Sequence, residues 1–82
     1  MYKISWTAKA VKELAAISYF NRICKRVESY VAKSPYELGK PLTGKYKGMY
    51  RYRYGNYRII YEINKTNQVI TVRRVGHRSK IY

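Results

Sequence analysis

The stretch 49–82, MYRYRYGNYRIIYEINKTNQVITVRRVGHRSKIY, constrains the fold more than any other feature of this chain: it reads as three short strands ending in a compact polar tail, and its first run alternates strictly. Strand side chains repeat every two residues, so Tyr50, Tyr52 and Tyr54 share one face and Arg51 and Arg53 the other. Gly55-Asn56 is a turn pair that suits a tight hairpin. The next run places Tyr57, Ile59, Tyr61 and Ile63 on one face and Arg58, Ile60 and Glu62 on the other. Asn64-Lys65-Thr66-Asn67 reads as a second turn. A third run, Gln68 to Val75, is rich in β-branched residues, and Gly76 is expected to break it. The prediction is a curved antiparallel meander with an apolar face and an arginine-bearing face.

An apolar sheet face needs a cover, and the first half of the chain supplies one. Met1 to Trp6 alternates as a short strand, and Thr7 can cap the helix after it. Residues 8–17 put Ala8, Val11, Leu14 and Ala15 on one side at helical spacing. From Tyr19 a stronger pattern restarts: Phe20, Ile23, Cys24, Val27, Tyr30 and Val31. A helical hairpin is the reading, with one long kinked helix as the alternative. Ser34-Pro35 ends the second helix, because the residue before proline leaves the α region. Residues 36–48, YELGKPLTGKYKG, read as a connection and not a strand. The expected architecture is α+β in one domain, 1–82, with element order β-α-α-β-β-β. A helical hairpin packs on one face of an antiparallel sheet, and the other face stays open. A chain this short has no deep internal cavity, so a ligand surface is a groove or a sheet face.

Charge narrows the partner. Eighteen Lys and Arg stand against four acids, for a net +14. Such a balance invites a polyanion, with nucleic acid first and an acidic protein second. No segment sets a long apolar face against a continuous lysine face, so a membrane partner is not expected. Cys24 is the only cysteine, which excludes an internal disulfide and a cysteine-based zinc cluster. No metal or cofactor is expected. No signal peptide or membrane-length run is visible, so the expected compartment is the cytoplasm.

Five basic residues, Lys45, Lys47, Arg51, Arg53 and Arg58, fall in one stretch with no acid among them. Arg51 and Arg53 lie on one strand and Arg58 on its hairpin partner, so the guanidinium groups can converge. Crowded like charges cost stability, and arginine forks onto phosphate oxygens. The ordinary reading is a solvated strand face; the interleaved tyrosines and the tail tilt the balance toward RNA contact. Tyrosines can stack on bases, although most here are expected to pack on the helices. The tail adds His77, Arg78 and Tyr82: an acid or base near neutrality, a charge stabiliser and a stacking ring.

The strings GNYRIIYEI (55–63), VRRVGHRSKIY (72–82) and PLTG (41–44) resemble the RelE/ParE superfamily of type II toxins, and the likeness covers the whole chain. The resemblance implies the RelE fold and an antitoxin partner whose extended, often acidic segment wraps the toxin. For RelE-type members it implies binding at the ribosomal A site and cleavage of mRNA there, by attack of the ribose 2′-OH on the adjacent phosphate. Arg58 then matches the arginine that holds the scissile phosphate. Arg78 matches the one assigned to charge stabilisation or leaving-group protonation. Tyr82 matches the stacking tyrosine, at a shorter spacing. Arg51 and Arg53 match two lysines, one of them a proposed general base. Arginine is a poor base, so that role falls open. His77 and Glu62 are the candidates, or positioning and electrostatics do most of the work. Three rival readings share the fold: the same chemistry on free RNA, a ParE-like poison of DNA gyrase, and a basic ribosome- or RNA-binding toxin without chemistry.

Overall fold

The computed structural model describes residues 1–81. Strand β1 (Lys3–Trp6) leads into helix α1 (Ala8–Ala15), and helix α2 (Phe20–Arg26) runs on into a π-helical turn (Val27–Val31). A short helix α3 (Pro35–Leu38), strand β2 (Lys40–Pro41) and a 3₁₀ turn (Gly44–Tyr46) follow. Strands β3 (Tyr50–Tyr54), β4 (Tyr57–Asn64) and β5 (Val69–His77) complete the order. Two separate helices form, as the hairpin reading expects. Thr7 caps α1, its hydroxyl oxygen accepting the Ala10 N–H at 3.1 Å.

The sheet order is β1-β5-β4-β3-β2. Both central hairpins are antiparallel, but β1 pairs with β5 in parallel, so the sheet is mixed where an antiparallel one was expected. Neighbouring strands in a meander take their direction from the turn that joins them. β1 and β5 lie at opposite ends of the sequence, so no turn dictates their direction. Gly55 takes the first central position of the β3–β4 turn with φ +59°, the II′ pattern that matches strand twist.

Three further expectations change. The 36–48 connection contains α3, started by Pro35 at its first turn, where the missing N–H costs nothing. It also contains β2, whose proline is tolerated because the strand lies at the sheet edge. Gly76 does not break β5, which runs through it to His77 in pairing with β4. On α1 the buried residues are Ala10 and Leu14, joined by Ile17 in the turn that follows, and Val11 is 52% exposed.

The core lies between the helices and one sheet face. Ala10, Leu14, Ile17, Ile23, Val27 and Val31 pack on Ile59, Tyr61, Ile70, Val72 and Val75. Val72 and Val75 are three apart, an odd spacing that a regular strand cannot keep on one face. A bulge reconciles them: Ile60 pairs with Arg74 and Tyr61 with Val72, leaving Arg73 as the extra residue. The outer face is less open than expected, because Ile60 is fully buried and Arg58 only 8% exposed. There the Tyr46 hydroxyl reaches Arg74, the cross-strand neighbour of Ile60, at 2.9 Å. Ile81 turns back against Gly76.

Candidate nucleic-acid interface

The β3–β4 hairpin assembles the arginines. Its register sets Arg53 directly opposite Arg58, Arg51 opposite Ile60 and Lys40 opposite Arg51. Directly opposed residues hold their Cβ atoms ~5 Å apart, so two guanidinium groups share one small area of the outer face. On the far side of Arg58 the paired residue is Gly76. Gly76 carries no side chain of its own, and the Ile81 side chain packs over that position, beside the buried Arg58. The row across three strands is therefore Arg53, Arg58, Gly76.

The tail joins this row. The Arg78 N–H donates to the Asn56 carbonyl at 2.9 Å, carrying the ladder one step past β5. Arg78 thus sits beside the hairpin turn, two residues from Arg58 along the neighbouring strand. Tyr82 lies outside the described residues.

Other expected members are not brought to the row. His77 pairs with Tyr57, whose side of the sheet is the helix side, and its ring meets Tyr57 edge-on at 5.7 Å between centroids. Its Nδ1 lies 2.8 Å from Ser79 Oγ. Glu62 is on the outer face, but its carboxylate accepts Arg73 Nε at 2.7 Å and pairs with the same guanidinium. Four residues along a strand also separate it from Arg58, about 13 Å. Lys45 belongs to the Gly44–Tyr46 turn and lines an adjoining groove with Thr7, Lys9, Met49, Arg73 and Arg74. Lys47 follows that turn, exposed. The hairpin tyrosines pack against the core, as expected, and are not a stacking platform.

Arg74 is the residue the pattern missed. Its guanidinium makes three contacts of 2.8–3.1 Å with the Glu13 carboxylate of α1 and donates to Tyr46. Glu13 also accepts the Val75 N–H at 3.1 Å, a donor on the β5 edge left uncovered where β1 stops. Burial alone raises the Glu13 carboxyl, but the bonds from Arg74 and Val75 and the charges of Arg74 and Lys9 outweigh it and hold it below its ordinary value. The only sequence signal for this clamp was the odd Val72–Val75 spacing.

Among the described residues no group of three His, Cys, Asp or Glu can hold a metal ion, and no helix is long and apolar enough to cross a membrane.

Residues 4–82 match the family described as ParE toxin of type II toxin-antitoxin system, parDE. The chain belongs to this family, within the RelE/ParE superfamily. Toxin RelG of Mycobacterium tuberculosis (strain ATCC 25618 / H37Rv) is 29% identical over 85 residues, which span 99% of this chain and 95% of RelG. The toxin–antitoxin complex RelBE2 from M. tuberculosis contains a chain of TM-score 0.88 at 24% identity, covering 93% of this chain and 96% of that one. The intact E. coli RelBE toxin–antitoxin complex gives a TM-score of 0.75 at 26% identity, covering 94% and 96%. The α+β architecture, helices on one face of the sheet, is therefore that of the RelE-like toxins. The family description carries the name ParE and the relatives carry RelE-type names, so superfamily membership by itself does not choose an activity. The arginine row bears on that choice.

Proposed function

We propose that this toxin cleaves mRNA on the ribosome by transesterification. The observation that carries the reading is the outer-face row: Arg53 across from Arg58, with Gly76 as the paired residue on the third strand, and Arg78 anchored by its N–H beside the hairpin turn. That arrangement suits a dianionic, phosphorane-like transition state, since fixed guanidinium groups act where negative charge grows.

In the proposed step the ribose 2′-oxygen attacks the adjacent phosphorus as the P–O5′ bond breaks. The products are a 2′,3′-cyclic phosphate and a free 5′-hydroxyl. Arg58 holds the scissile phosphate, and Arg53 and Arg51 neutralise the charge that accumulates on its oxygens. Arg78 stabilises or protonates the departing 5′-oxygen, and Tyr82 orients the substrate. None of the arginines can accept the 2′-OH proton at neutral pH, so that proton passes to solvent. Lys45 and Lys47 contact the RNA backbone away from the scissile bond. In the cytoplasm the same basic face, when not on the ribosome, takes the acidic segment of an antitoxin.

Primer-extension mapping of a reporter mRNA in a purified translation system, with and without ribosomes, tests the reading. Cuts within codons that require translating ribosomes support it. Cuts on free RNA alone reassign the substrate. The ParE name of the matching family favours one rival, inhibition of DNA gyrase by binding. No cuts under either condition, with inhibited supercoiling by purified gyrase, would move the assignment there.

A further inference from the structure

His77 closes β5, and the residues after it fold back onto it. The Ser79 N–H donates to His77 Nδ1 at 3.2 Å, and Ser79 Oγ lies 2.8 Å from the same nitrogen. The Lys80 and Ile81 N–H groups both donate to the His77 carbonyl, at 2.9 and 3.2 Å. Ile81 is 2% exposed and rests against Gly76. One histidine thus receives the hydrogen bonds of the whole turn, on its ring and on its carbonyl. Arg78 is the residue held inside that turn, with its own N–H on the Asn56 carbonyl.

To accept an amide N–H, Nδ1 must carry no proton, so the neutral ring is protonated on Nε2. Protonation of Nδ1 sets a second N–H against the Ser79 N–H, and the acceptor is lost. Charged and titratable groups face the ring from several elements. The tail contributes Arg78 and Lys80. Tyr57 stands edge-on from β4, with Tyr19 edge-on to it from the α1–α2 turn. Glu13 and Arg74 line the same groove as His77 and are bonded to each other.

We propose that His77 is a positioning residue for cleavage: its unprotonated Nδ1 locks the 77–81 turn that holds Arg78 at the β3–β4 hairpin turn, and it takes no proton from the RNA. The inference rests on the cleavage reading for its kinetic consequence but not for the lock itself.

Two variants separate positioning from chemistry. In His77→Asn the side-chain oxygen can accept the N–H two residues on, as in an Asx turn, but it neither titrates nor acts as a base. His77→Phe keeps a ring against Tyr57 and has no acceptor. In the ribosome assay, His77→Asn should keep the wild-type rate within about threefold near pH 7.5. His77→Phe should lose roughly ten- to a hundredfold in kcat with KM unchanged, the signature of a misplaced transition-state group. Two results overturn the proposal: His77→Asn as inactive as His77→Phe, or His77→Phe as active as wild type. Amide exchange of Arg78 and Ser79 reads the lock without any cleavage. Protection in the wild type and His77→Asn but not in His77→Phe supports it, and equal exchange in all three sinks it. A wild type that cuts nothing refutes the cleavage reading alone and leaves the exchange result to decide the lock. Loss of protection at core amides in His77→Phe would mark misfolding, and the rate and the Arg78 and Ser79 exchange of His77→Asn against wild type then decide: both kept supports the lock, either lost overturns it.

Discussion

Gly39→Ala is the sharpest test of the packing that holds the edge of the arginine face. Gly39 follows α3 with φ −92° and ψ 147°, values any residue adopts. On backbone grounds alone, alanine there should stabilise the chain by about 0.4–1 kcal/mol through the unfolded state. Space reverses the sign. An added Cβ would stand 2.1 Å from the Tyr61 hydroxyl oxygen, 2.9 Å from the ring carbon that bears it and 3.0 Å from the Tyr50 Cβ. Tyr61 is fully buried and donates that hydroxyl to the Pro35 carbonyl at 2.6 Å, so it has nowhere to retreat without losing the bond. So close a clash puts overpacking at the upper end of about 1–3 kcal/mol; with about 1 kcal/mol more for the lost bond and the backbone gain subtracted, the net loss is near 3 kcal/mol. For a domain of this size that is roughly 12–24 °C in melting temperature. Tyr61→Phe removes the worst contact, so in that background Gly39→Ala should cost only about 1–1.5 kcal/mol. The two changes therefore couple by about 1.5 kcal/mol or more in a double-mutant cycle read by urea unfolding. A neutral or stabilising alanine, or an equal cost in both backgrounds, would refute this account of the 35–61 contact.

Three further outcomes are expected. Arg53→Gln should cut the cleavage rate at least tenfold while leaving the unfolding midpoint unchanged or slightly raised, because it relieves a like-charge pair with Arg58; a parallel loss of stability and rate would mean that Arg53 serves the fold. The Glu13 carboxyl is held below its ordinary value of 4.5, so its contribution to stability is full above about pH 4.5 and is lost as pH falls through the lower folded-state value. Glu13→Gln should accordingly flatten the acid limb of stability between about pH 5 and 3, measured by urea melts, and an unchanged limb would show that the clamp does not titrate with folding. Heparin at low salt should raise the melting temperature, and ~0.5 M salt should abolish the gain; no shift at low salt would count against a prepared anionic face.

The sequence carried the face assignments because two-residue periodicity is a local property. It put Tyr50, Tyr52 and Tyr54 on the core side and Arg51, Arg53 and Arg58 on the other, and the register places Arg53 against Arg58. Pairing at a distance was not legible. Nothing between Lys3 and Trp6 states that the strand will lie beside Val69–Val72, or in which direction. A strand glycine usually marks a break, but Gly76 holds a through-strand position opposite Arg58 over which Ile81 packs. The helix-side placement of His77 follows from the bulge, which resets the alternation of β5 after Val72. A period-two reading without the bulge loses track of which side each later residue occupies.

The bulge also sorts the arginines by what they do. It adds Arg73 to a strand that would otherwise offer a single arginine at this point, and the two adjacent arginines receive two of the chain's four carboxylates. Glu62 takes Arg73, an exposed pair worth about 1 kcal/mol or less. Glu13 takes Arg74 in a half-buried clamp that also saturates the β5 edge at Val75 and ties in Tyr46. The other two acids, Glu28 and Glu37, are exposed. The acids are therefore spent on the arginines that fasten α1, the Gly44–Tyr46 turn and the sheet together. The opposed pair on the β3–β4 hairpin is built with like charge facing like charge, an arrangement that costs stability in the folded toxin alone. On the proposed reading, a bound polyanion would offset that cost. The proposed cleavage would then draw on fixed charge and not on a titrating base, since arginine keeps its proton at neutral pH.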